Sequence, residues 1–200
     1  MSLLLPAPEP PSDLHRRKLV IEELPVGFQI HRFHTAVYPA TFFDTTQGSR
    51  FNSPDGSYGV MYAALDRSGA FAETFLRNVG SMEISEAIIE SKACATYTLT
   101  RGIRAVRFRG YGLAPVGATA SVCSCPGPPY TLPQVWSSEF YNHPEQPDAI
   151  LYGSRHDDEA LCLAIFDRAN NALDFPVSST NLLGQAWFYE LMDRYGVGLT

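Results

Sequence analysis

Residues 48–78 constrain the fold of this chain most, because they join a base, a turn, an apolar run and an acidic segment in one stretch, GSRFNSPDGSYGVMYAALDRSGAFAETFLRN. A Pro and a Gly in the loop that follows Arg50 predict a reversal of the chain. The mostly apolar run at 58–64 then predicts a buried strand, with Tyr62 near its end. The remaining sequence is interpreted as scaffold or as partners for this stretch.

Residues 70–77, which carry the carboxylate of Glu73, predict a helix that Asp66 or Ser68 can cap. Glu73 lies in the most apolar part of this helix, where an ionised carboxylate is costly to bury without a partner. In one interpretation the carboxylate is solvated and pairs with Arg77, four residues further along the helix.

In the other interpretation Glu73 projects into a cleft that also contains Arg50 and Tyr62. A guanidinium can bind phosphate oxygens with two hydrogen bonds, and an aromatic ring can stack on a flat base. A carboxylate can bond sugar hydroxyls and stabilise positive charge that develops at C1 of a ribose. This set of groups is suited to a phosphate-bearing ribosyl substrate.

Composition and charge limit the classes of function. The 200 residues, 45% hydrophobic and 18% charged, predict a folded chain of one domain or at most two small ones. The net charge of -6 argues against general nucleic-acid binding, which depends on a basic surface. The first residues do not resemble a signal peptide, and no stretch approaches the roughly 18 apolar residues of a membrane span. We therefore expect a cytoplasmic protein with no membrane partner and no direct nucleic-acid partner.

The four cysteines, Cys94, Cys123, Cys125 and Cys162, lack the spacing of a disulfide framework, so we expect free thiols. Only one residue separates Cys123 from Cys125, whereas zinc-binding pairs are separated by about two to four residues. No His-x-His pair and no second pair of cysteines accompanies them. We therefore expect no metal site.

The rest of the chain predicts several strands and helices around the central stretch. We expect a Pro-rich arm at 1–24 that packs loosely or meets a partner, regular structure from near Gly27, and one domain over 25–200. The predicted elements are strands at 28–34, 95–100, 103–108, 148–152 and 161–166, helices at 85–93, 131–141 and 185–195, and an irregular connection at 110–133. Ile88 and Ile89 are expected on the buried side of the second helix. Because strict βαβ alternation and a Gly-rich nucleotide motif are missing, the pattern favours a single α+β domain with mixed sheets and flanking helices.

The motifs along residues 28–167 resemble the RES-domain family in order and approximate spacing. They are Arg32 on a strand, then GSRFN, YGVMYAA, AFAETFLR and DAILYGSRHD. The family is named for its Arg, Glu and Ser positions and includes toxins of bacterial type II toxin–antitoxin pairs. The resemblance implies an ADP-ribosyltransferase-like fold. It also implies an enzyme that destroys NAD at the nicotinamide–ribose bond by hydrolysis or phosphorolysis.

The resemblance assigns a role to each matching position. Arg32 and Arg50 would bind phosphate groups of NAD or of an attacking inorganic phosphate. Tyr62 would stack near the nicotinamide or the ribose, and Glu73 would contact the ribose hydroxyls and the developing charge. Ser154 would form a hydrogen bond with the substrate. NAD is then a substrate, inorganic phosphate a possible co-substrate, and no cofactor is required.

The sequence departs from the commonest family pattern at three places. Gly48-Ser49 stands where Gly-Gly is usual, Phe51 where Trp is frequent, and Gly153 where Pro often precedes the Ser. These differences bear on substrate fit more than on reaction class. Arg155 is a further site candidate or, equally, a salt-bridge residue.

Two alternatives to NAD destruction remain open at this stage. An ADP-ribosyltransferase would pass ADP-ribose to a macromolecular acceptor, although Phe71 stands two residues before Glu73, where such enzymes often have Glu or Gln. A catalytically silent binding module would use the same fold for an interaction. The resemblance also implies a helix-turn-helix antitoxin whose segment plugs the cleft. It leaves open a homo-oligomer or a toxin–antitoxin hetero-oligomer.

Overall fold

An eight-stranded mixed sheet forms the centre of the computed structural model, which describes residues 7–77, 80–124 and 128–200. The strands are β1 Ile21–Leu24, β2 Gln29–Thr35, β3 Val60–Ala64, β4 Glu83–Ile84, β5 Lys92–Thr98, β6 Ile103–Arg107, β7 Ala149–Gly153, β8 Leu161–Phe166, β9 Val177–Ser179 and β10 Gly198–Leu199. The strand order in the large sheet is β1-β6-β7-β8-β3-β2-β5-β9, and β4 pairs with β10 separately. Within the large sheet β6 and β7 run parallel, and the other neighbours run antiparallel.

Helices and short helical turns connect and cover these strands. The α-helices are α1 Arg67–Phe75, α2 Glu86–Glu90, α3 Leu113–Val116, α4 Ala120–Cys123, α5 Thr131–Tyr141 and α6 Ala186–Arg194, and 3-10 turns span Leu14–Arg16, Gly110–Gly112 and Asp167–Ala172. Helices and strands do not alternate strictly along the chain. The predicted α+β domain with a mixed sheet and flanking helices is therefore confirmed.

Strand β3 shows that both faces of the sheet are buried. Met61 and Ala63 belong to one hydrophobic core, whereas Val60 and Ala64 belong to the other. Successive side chains of a strand point to opposite faces, so Tyr62 lies on the side of Val60 and Ala64. Buried residues of α1, α5 and α6 cover that side, and they leave a cleft over the middle of the sheet.

Helix α1 forms directly after β3 because its first turn is capped. The carboxylate of Asp66 accepts a hydrogen bond of 2.7 Å from the N–H of Gly69, which satisfies one of the free donors of the helix start. Phe71 is fully buried, and its ring packs 5.0 Å from Phe75 and 5.6 Å from Phe188 of α6. This packing fixes the rotation of the helix and leaves Glu73 on the side that faces the cleft.

The N-terminal segment packs more tightly than the sequence predicts. Regular structure starts well before Gly27, since β1 pairs with β6 at the edge of the large sheet. Leu14 and Leu19 are buried in the same core as the helices, and Trp136 donates a hydrogen bond of 2.9 Å to the carbonyl of Pro8. The expectation of a loosely packed arm is therefore wrong for the segment from Pro8 onward, because apolar burial and strand pairing hold it. The division of the chain at residue 24 stays a prediction.

The predicted helix at 85–93 is too long. It ends at Glu90, and β5 begins at Lys92 because that strand pairs with β2 along its whole length. Ile89 is buried as expected, but Ile88 is exposed, so the prediction that both are buried is wrong. The connection at 110–133, interpreted as irregular, contains the short helices α3 and α4 and the start of α5.

The described cysteines Cys94, Cys123 and Cys162 are buried free thiols, whereas Cys125 lies outside the described residues. In the described ranges, no three His, Cys, Asp or Glu side chains come together as a group that could hold a metal ion. None of the helices in those same ranges is both long and apolar enough to cross a bilayer.

Candidate active site

A cleft of about 400 Å³ opens beside α1, over β2, β3 and the loop that precedes β3. Its volume lies within the usual range for a small-molecule site. Four of the side chains predicted from the sequence line it together: Arg32, Arg50, Tyr62 and Glu73. The fifth, Ser154, does not line it, although its two neighbours on the C-terminal side do.

Tyr62 and Asn52 fix the loop that carries Arg50. The hydroxyl of Tyr62 donates a hydrogen bond of 2.9 Å to Oδ1 of Asn52 and accepts one of 2.8 Å from the N–H of Phe51. Asn52 is fully buried, and its Nδ2 donates to the carboxylate of Asp44 at 2.8 Å and to a loop carbonyl at 2.7 Å. Burial raises the pKa of Tyr62, so the phenol stays protonated. The hydroxyl of Tyr62 therefore holds the loop in place, while its ring lines the cleft.

Helix α5 holds the same loop from its other side. Nε2 of Gln134 donates to the carbonyls of Gln47 at 2.9 Å and of Ser49 at 3.1 Å. The hydroxyl of Ser137 donates to the carbonyl of Phe51 at 2.6 Å and accepts a hydrogen bond from Tyr58. Because side chains satisfy these loop carbonyls, the loop keeps one conformation although it belongs to no strand or helix.

Arg50 is only 8% exposed, and its guanidinium lies 5.6 Å from the ring centre of Tyr152 and 5.9 Å from that of Phe51. Its Nε and Nη1 are buried and have no hydrogen-bond partner among the described residues. Burial alone would lower the pKa of Arg50, but the nearby Tyr152 and Glu73 outweigh it and raise the pKa. Arg50 is thus a permanent cation in the wall of the cleft.

Glu73 is half-buried, and its Oε1 is buried with no hydrogen-bond partner in the described ranges. Arg77 does not satisfy the carboxylate as the first interpretation requires. Its Nε donates instead to the backbone carbonyl of Glu73, at 2.6 Å. The structure therefore agrees with the interpretation in which the carboxylate faces the cleft near Arg50.

Ser154 and its neighbours form a turn at the end of β7. The hydroxyl of Ser154 accepts a hydrogen bond of 3.1 Å from the N–H of His156, and the side chain is 4% exposed. Arg155 lines the cleft, and its Nε donates to Nε2 of His156 at 3.1 Å. Burial lowers the pKa of His156, although the charge of Glu73 raises it in part, so the imidazole is neutral at pH 7. The role of Ser154 toward a substrate stays a prediction.

The charge of the cleft is opposite to that of the whole chain. Among the described residues, its walls carry four arginines, Arg32, Arg50, Arg77 and Arg155, and two carboxylates, Asp44 and Glu73. Asp44 already accepts hydrogen bonds from Thr46 and Asn52, so Glu73 is the carboxylate left to face the arginines. A cationic cleft in a protein of net charge -6 favours an anionic ligand.

The sequence interpretation missed three residues that build this site. Asn52 read as a turn residue and Gln134 as a helix residue, because their partners lie far away in the sequence or on another element. His156 follows directly after the Ser-Arg pair of the DAILYGSRHD motif, and this position was the one available signal.

Comparison with known proteins decides the family. The model of the RES domain matches residues 28–191, which is most of the chain. The chain belongs to the RES-domain family. The predicted membership is thereby confirmed, and the match of this RES protein extends beyond residue 167 into α6.

A solved structure supports the fold. The RES chain superimposes on a chain in the crystal structure of the M. tuberculosis MbcT–MbcA toxin–antitoxin complex with a TM-score of 0.61 and 13% sequence identity. The superposition covers 92% of this chain and 98% of that one, so the two share one fold over nearly their whole lengths. That fold agrees with the ADP-ribosyltransferase-like architecture implied by the sequence. No curated protein sequence matches this chain.

Proposed function

We propose that this RES-domain protein is an enzyme that cleaves the nicotinamide–ribose bond of NAD in the cleft, by hydrolysis or phosphorolysis. One observation carries the proposal. A buried arginine, Arg50, and a carboxylate, Glu73, line the same cationic cleft, and each has a buried polar atom with no hydrogen-bond partner among the described residues. Leaving a buried polar atom unpaired costs about 1–3 kcal/mol, and more for a charged group, so such atoms indicate a ligand.

NAD fits these groups by its chemistry. Its pyrophosphate is anionic and can accept hydrogen bonds from Arg50 and Arg32, which both line the cleft. Its nicotinamide carries a positive charge on the ring, and its ribose offers hydroxyl donors to a carboxylate such as Glu73.

The reaction needs electrostatic stabilisation more than proton transfer. The bond between C1 of the ribose and the ring nitrogen breaks, and its electron pair leaves with neutral nicotinamide, so no strong general acid is required. The ribose becomes positively charged at C1, where the Glu73 carboxylate stabilises it. An oxygen of water or of phosphate then bonds to C1 and, for water, its proton passes to solvent. His156 lines the cleft, and because its Nε2 accepts the hydrogen bond from Arg155, its Nδ1 carries the proton and can donate to an oxygen of the substrate.

The two alternative functions receive less support from the structure. Phe71, two residues before Glu73, is fully buried in the aromatic core, so a second catalytic carboxylate could not stand there without disrupting α1. This argues against a transferase with a Glu-x-Glu pair. A silent binding module has no use for a carboxylate that faces the cleft without a hydrogen-bond partner.

Nicotinamide release tests the proposal directly. Purified protein incubated with NAD should release nicotinamide, measured by chromatography. Glu73→Gln should reduce kcat by on the order of 10²- to 10³-fold, because the amide keeps the shape but removes the negative charge. Runs with and without inorganic phosphate separate phosphorolysis, which yields a phosphorylated ADP-ribose, from hydrolysis.

The matched control is Glu90→Gln, which makes the same change on an exposed position of α2 and should leave the rate unchanged. The proposal fails if folded protein releases no nicotinamide under either condition. It also fails if Glu73→Gln is as active as the control variant. Transfer of labelled ADP-ribose to a macromolecule would favour the transferase instead.

We further propose that the protein acts as the toxin of a toxin–antitoxin pair and has a protein antitoxin as its partner. The support is family membership together with the fold shared with a chain of a toxin–antitoxin complex. Expression in bacteria should then stop growth and deplete NAD, and Glu73→Gln should do neither. Co-expression of a partner encoded beside this chain should restore growth, and unchanged NAD levels during growth arrest would contradict the proposal.

A further inference from the structure

The loop between β2 and β3 presents an aromatic ring to the cleft that the proposed reaction does not use. Phe42 is 53% exposed and lines the cleft wall. A single exposed phenylalanine is common at protein surfaces and needs no explanation by itself. What distinguishes Phe42 is that the backbone on both of its sides is fixed.

Each of the residues 41–44 has its own attachment to the rest of the protein. The hydroxyl of Thr41 forms a hydrogen bond of 3.2 Å with that of Tyr97, and Phe43 packs against the hydrophobic core that contains Met61 and Ala63. Asp44 forms paired backbone hydrogen bonds of 3.0 Å with Val60 of β3. The ring of Phe42 is therefore held at the cleft by its neighbours on both sides and is not part of a free loop.

Gly59 allows this close attachment. A Cβ at position 59 would lie 2.7 Å from Cβ of Phe43 and 3.1 Å from its carbonyl oxygen, so only glycine lets the two segments approach this closely. Because Phe43 packs inward at this point, the adjacent Phe42 is left on the cleft side.

Arg32 joins the ring to the cationic wall. Its Nη1 donates a hydrogen bond of 3.2 Å to the carbonyl of Phe42, so a guanidinium lies beside the exposed aromatic residue. At the proposed reacting centre, Arg50 and Glu73 line the same cleft, and each has buried polar atoms. The cleft thus has a buried charged part for a reacting ribose and an exposed part with a cation next to an aromatic ring. A dinucleotide has a matching order of groups, because phosphates lie between the reacting nucleoside and a second flat base.

We propose that Phe42 is the stacking platform for the adenine base of the dinucleotide, which makes it a specificity-determining residue. This inference rests on the proposed function in that it takes NAD as the ligand of the cleft. Every nucleobase has a flat face that can stack on an aromatic side chain, and the exposed ring of Phe42 loses contact with water when adenine covers it. The site should therefore distinguish ligands that carry adenine from fragments that lack it.

Calorimetry tests the proposal without relying on catalysis. ADP-ribose carries adenine, whereas ribose 5-phosphate does not, and both are stable ligands. Phe42→Ala should weaken ADP-ribose binding by on the order of 5- to 150-fold and leave ribose 5-phosphate binding unchanged. Phe42→Tyr keeps a ring and should bind ADP-ribose as the unaltered protein does. Phe175→Ala is the control, since Phe175 is 98% exposed and does not line the cleft.

Kinetics give a second readout. Phe42→Ala should raise KM for NAD by a similar factor and leave KM for nicotinamide mononucleotide, which lacks adenine, unchanged.

The outcomes separate this inference from the proposed function. ADP-ribose binding that depends on Phe42 in a protein that does not cleave NAD would sustain the platform and overturn the reaction. Cleavage of NAD with unchanged ADP-ribose binding in Phe42→Ala would overturn the platform alone. Tyr130 is another aromatic residue that lines the cleft, so a loss of ADP-ribose binding in Tyr130→Ala and not in Phe42→Ala would overturn the platform. An equal loss for ADP-ribose and ribose 5-phosphate, or no ADP-ribose binding by the unaltered protein, would also overturn it.

Discussion

At the scale of single residues, the site depends on side chains that hold other side chains in place. Tyr62 is the best example, because its hydroxyl joins the backbone of the Arg50 loop to the side chain of Asn52. The sequence assigned Tyr62 to stacking on the substrate. The structure leaves the ring available for that role, but it gives the hydroxyl a different one.

Tyr62→Phe separates the two roles, since it removes the hydroxyl and keeps the ring. We expect the free energy of unfolding to fall by about 1–3 kcal/mol, because the N–H of Phe51 and Oδ1 of Asn52 lose a partner. Nicotinamide release should fall as well, because the loop that carries Arg50 loses its hydrogen bond to the Tyr62 hydroxyl. Urea denaturation and the rate assay measure the two effects.

Tyr189→Phe is the matched control, because Tyr189 lies partly exposed on α6 and should tolerate the change in both assays. If Tyr62→Phe keeps full stability and full activity, the hydroxyl does not position the loop and the ring alone matters.

At the scale of elements, the site is held between helices and the sheet, and the N-terminal segment completes that packing. Leu14 is buried in the core on the side of the helices, and its carbonyl lies 3.2 Å from Nε2 of His143. This segment also places β1 against β6, which covers that edge of the sheet. A segment that reads as an arm in the sequence is therefore part of the folded unit.

Leu14→Ala should lower the free energy of unfolding by about 2–5 kcal/mol, because it removes buried methyl groups and leaves a cavity. Chemical denaturation measures this change. Val26→Ala, on an exposed position near the end of β1, should change stability by less than about 0.5 kcal/mol. Equal stability of the two variants would restore the interpretation of a loosely packed arm.

At the scale of the whole molecule, three histidines that are buried or partly buried make stability depend on pH. Burial lowers the pKa of His31, His34 and His156 below the ordinary value near 6.5. The unfolded chain then binds more protons than the folded one between the lowered values and about pH 6.5. The stability that these neutral histidines contribute is fully present above about pH 6.5 and is lost as the pH falls through that window.

Urea denaturation midpoints should therefore decrease from about pH 7.5 to 5.5. His34→Gln should reduce this decrease, because it removes one group whose protonation favours the unfolded state. His15→Gln, on an exposed position, should leave the decrease unchanged. A midpoint that stays constant or rises on acidification would show that these histidines do not control stability in this range.

Most of the fold was predictable from local pattern. The elements β3, β7, β8, α5 and α6 were placed within one or two residues of their observed bounds, which is the usual uncertainty of element ends. Helix α1 begins three residues before the predicted start and ends two residues before the predicted end. The errors lie where a distant partner decided the outcome. Lys92 belongs to a strand and not to a helix because β2 offers a full row of backbone hydrogen bonds. Ile88 lies within α2 but is exposed, since the side of the helix that carries Ile89 packs on the core.

The sequence by itself determined the family, the α+β class and the four cleft residues Arg32, Arg50, Tyr62 and Glu73, because motif order and hydrophobic pattern are properties of the chain alone. Only the tertiary structure decided that the Glu73 carboxylate faces the cleft and does not pair with the Arg77 side chain. It also decided that Ser154 lies outside the cleft wall, and that Asn52, Gln134 and Phe42 belong to the site. These outcomes depend on which side of a helix is buried and on hydrogen bonds between segments far apart in sequence. No local pattern encodes such contacts, since each one exists only when both partners are folded.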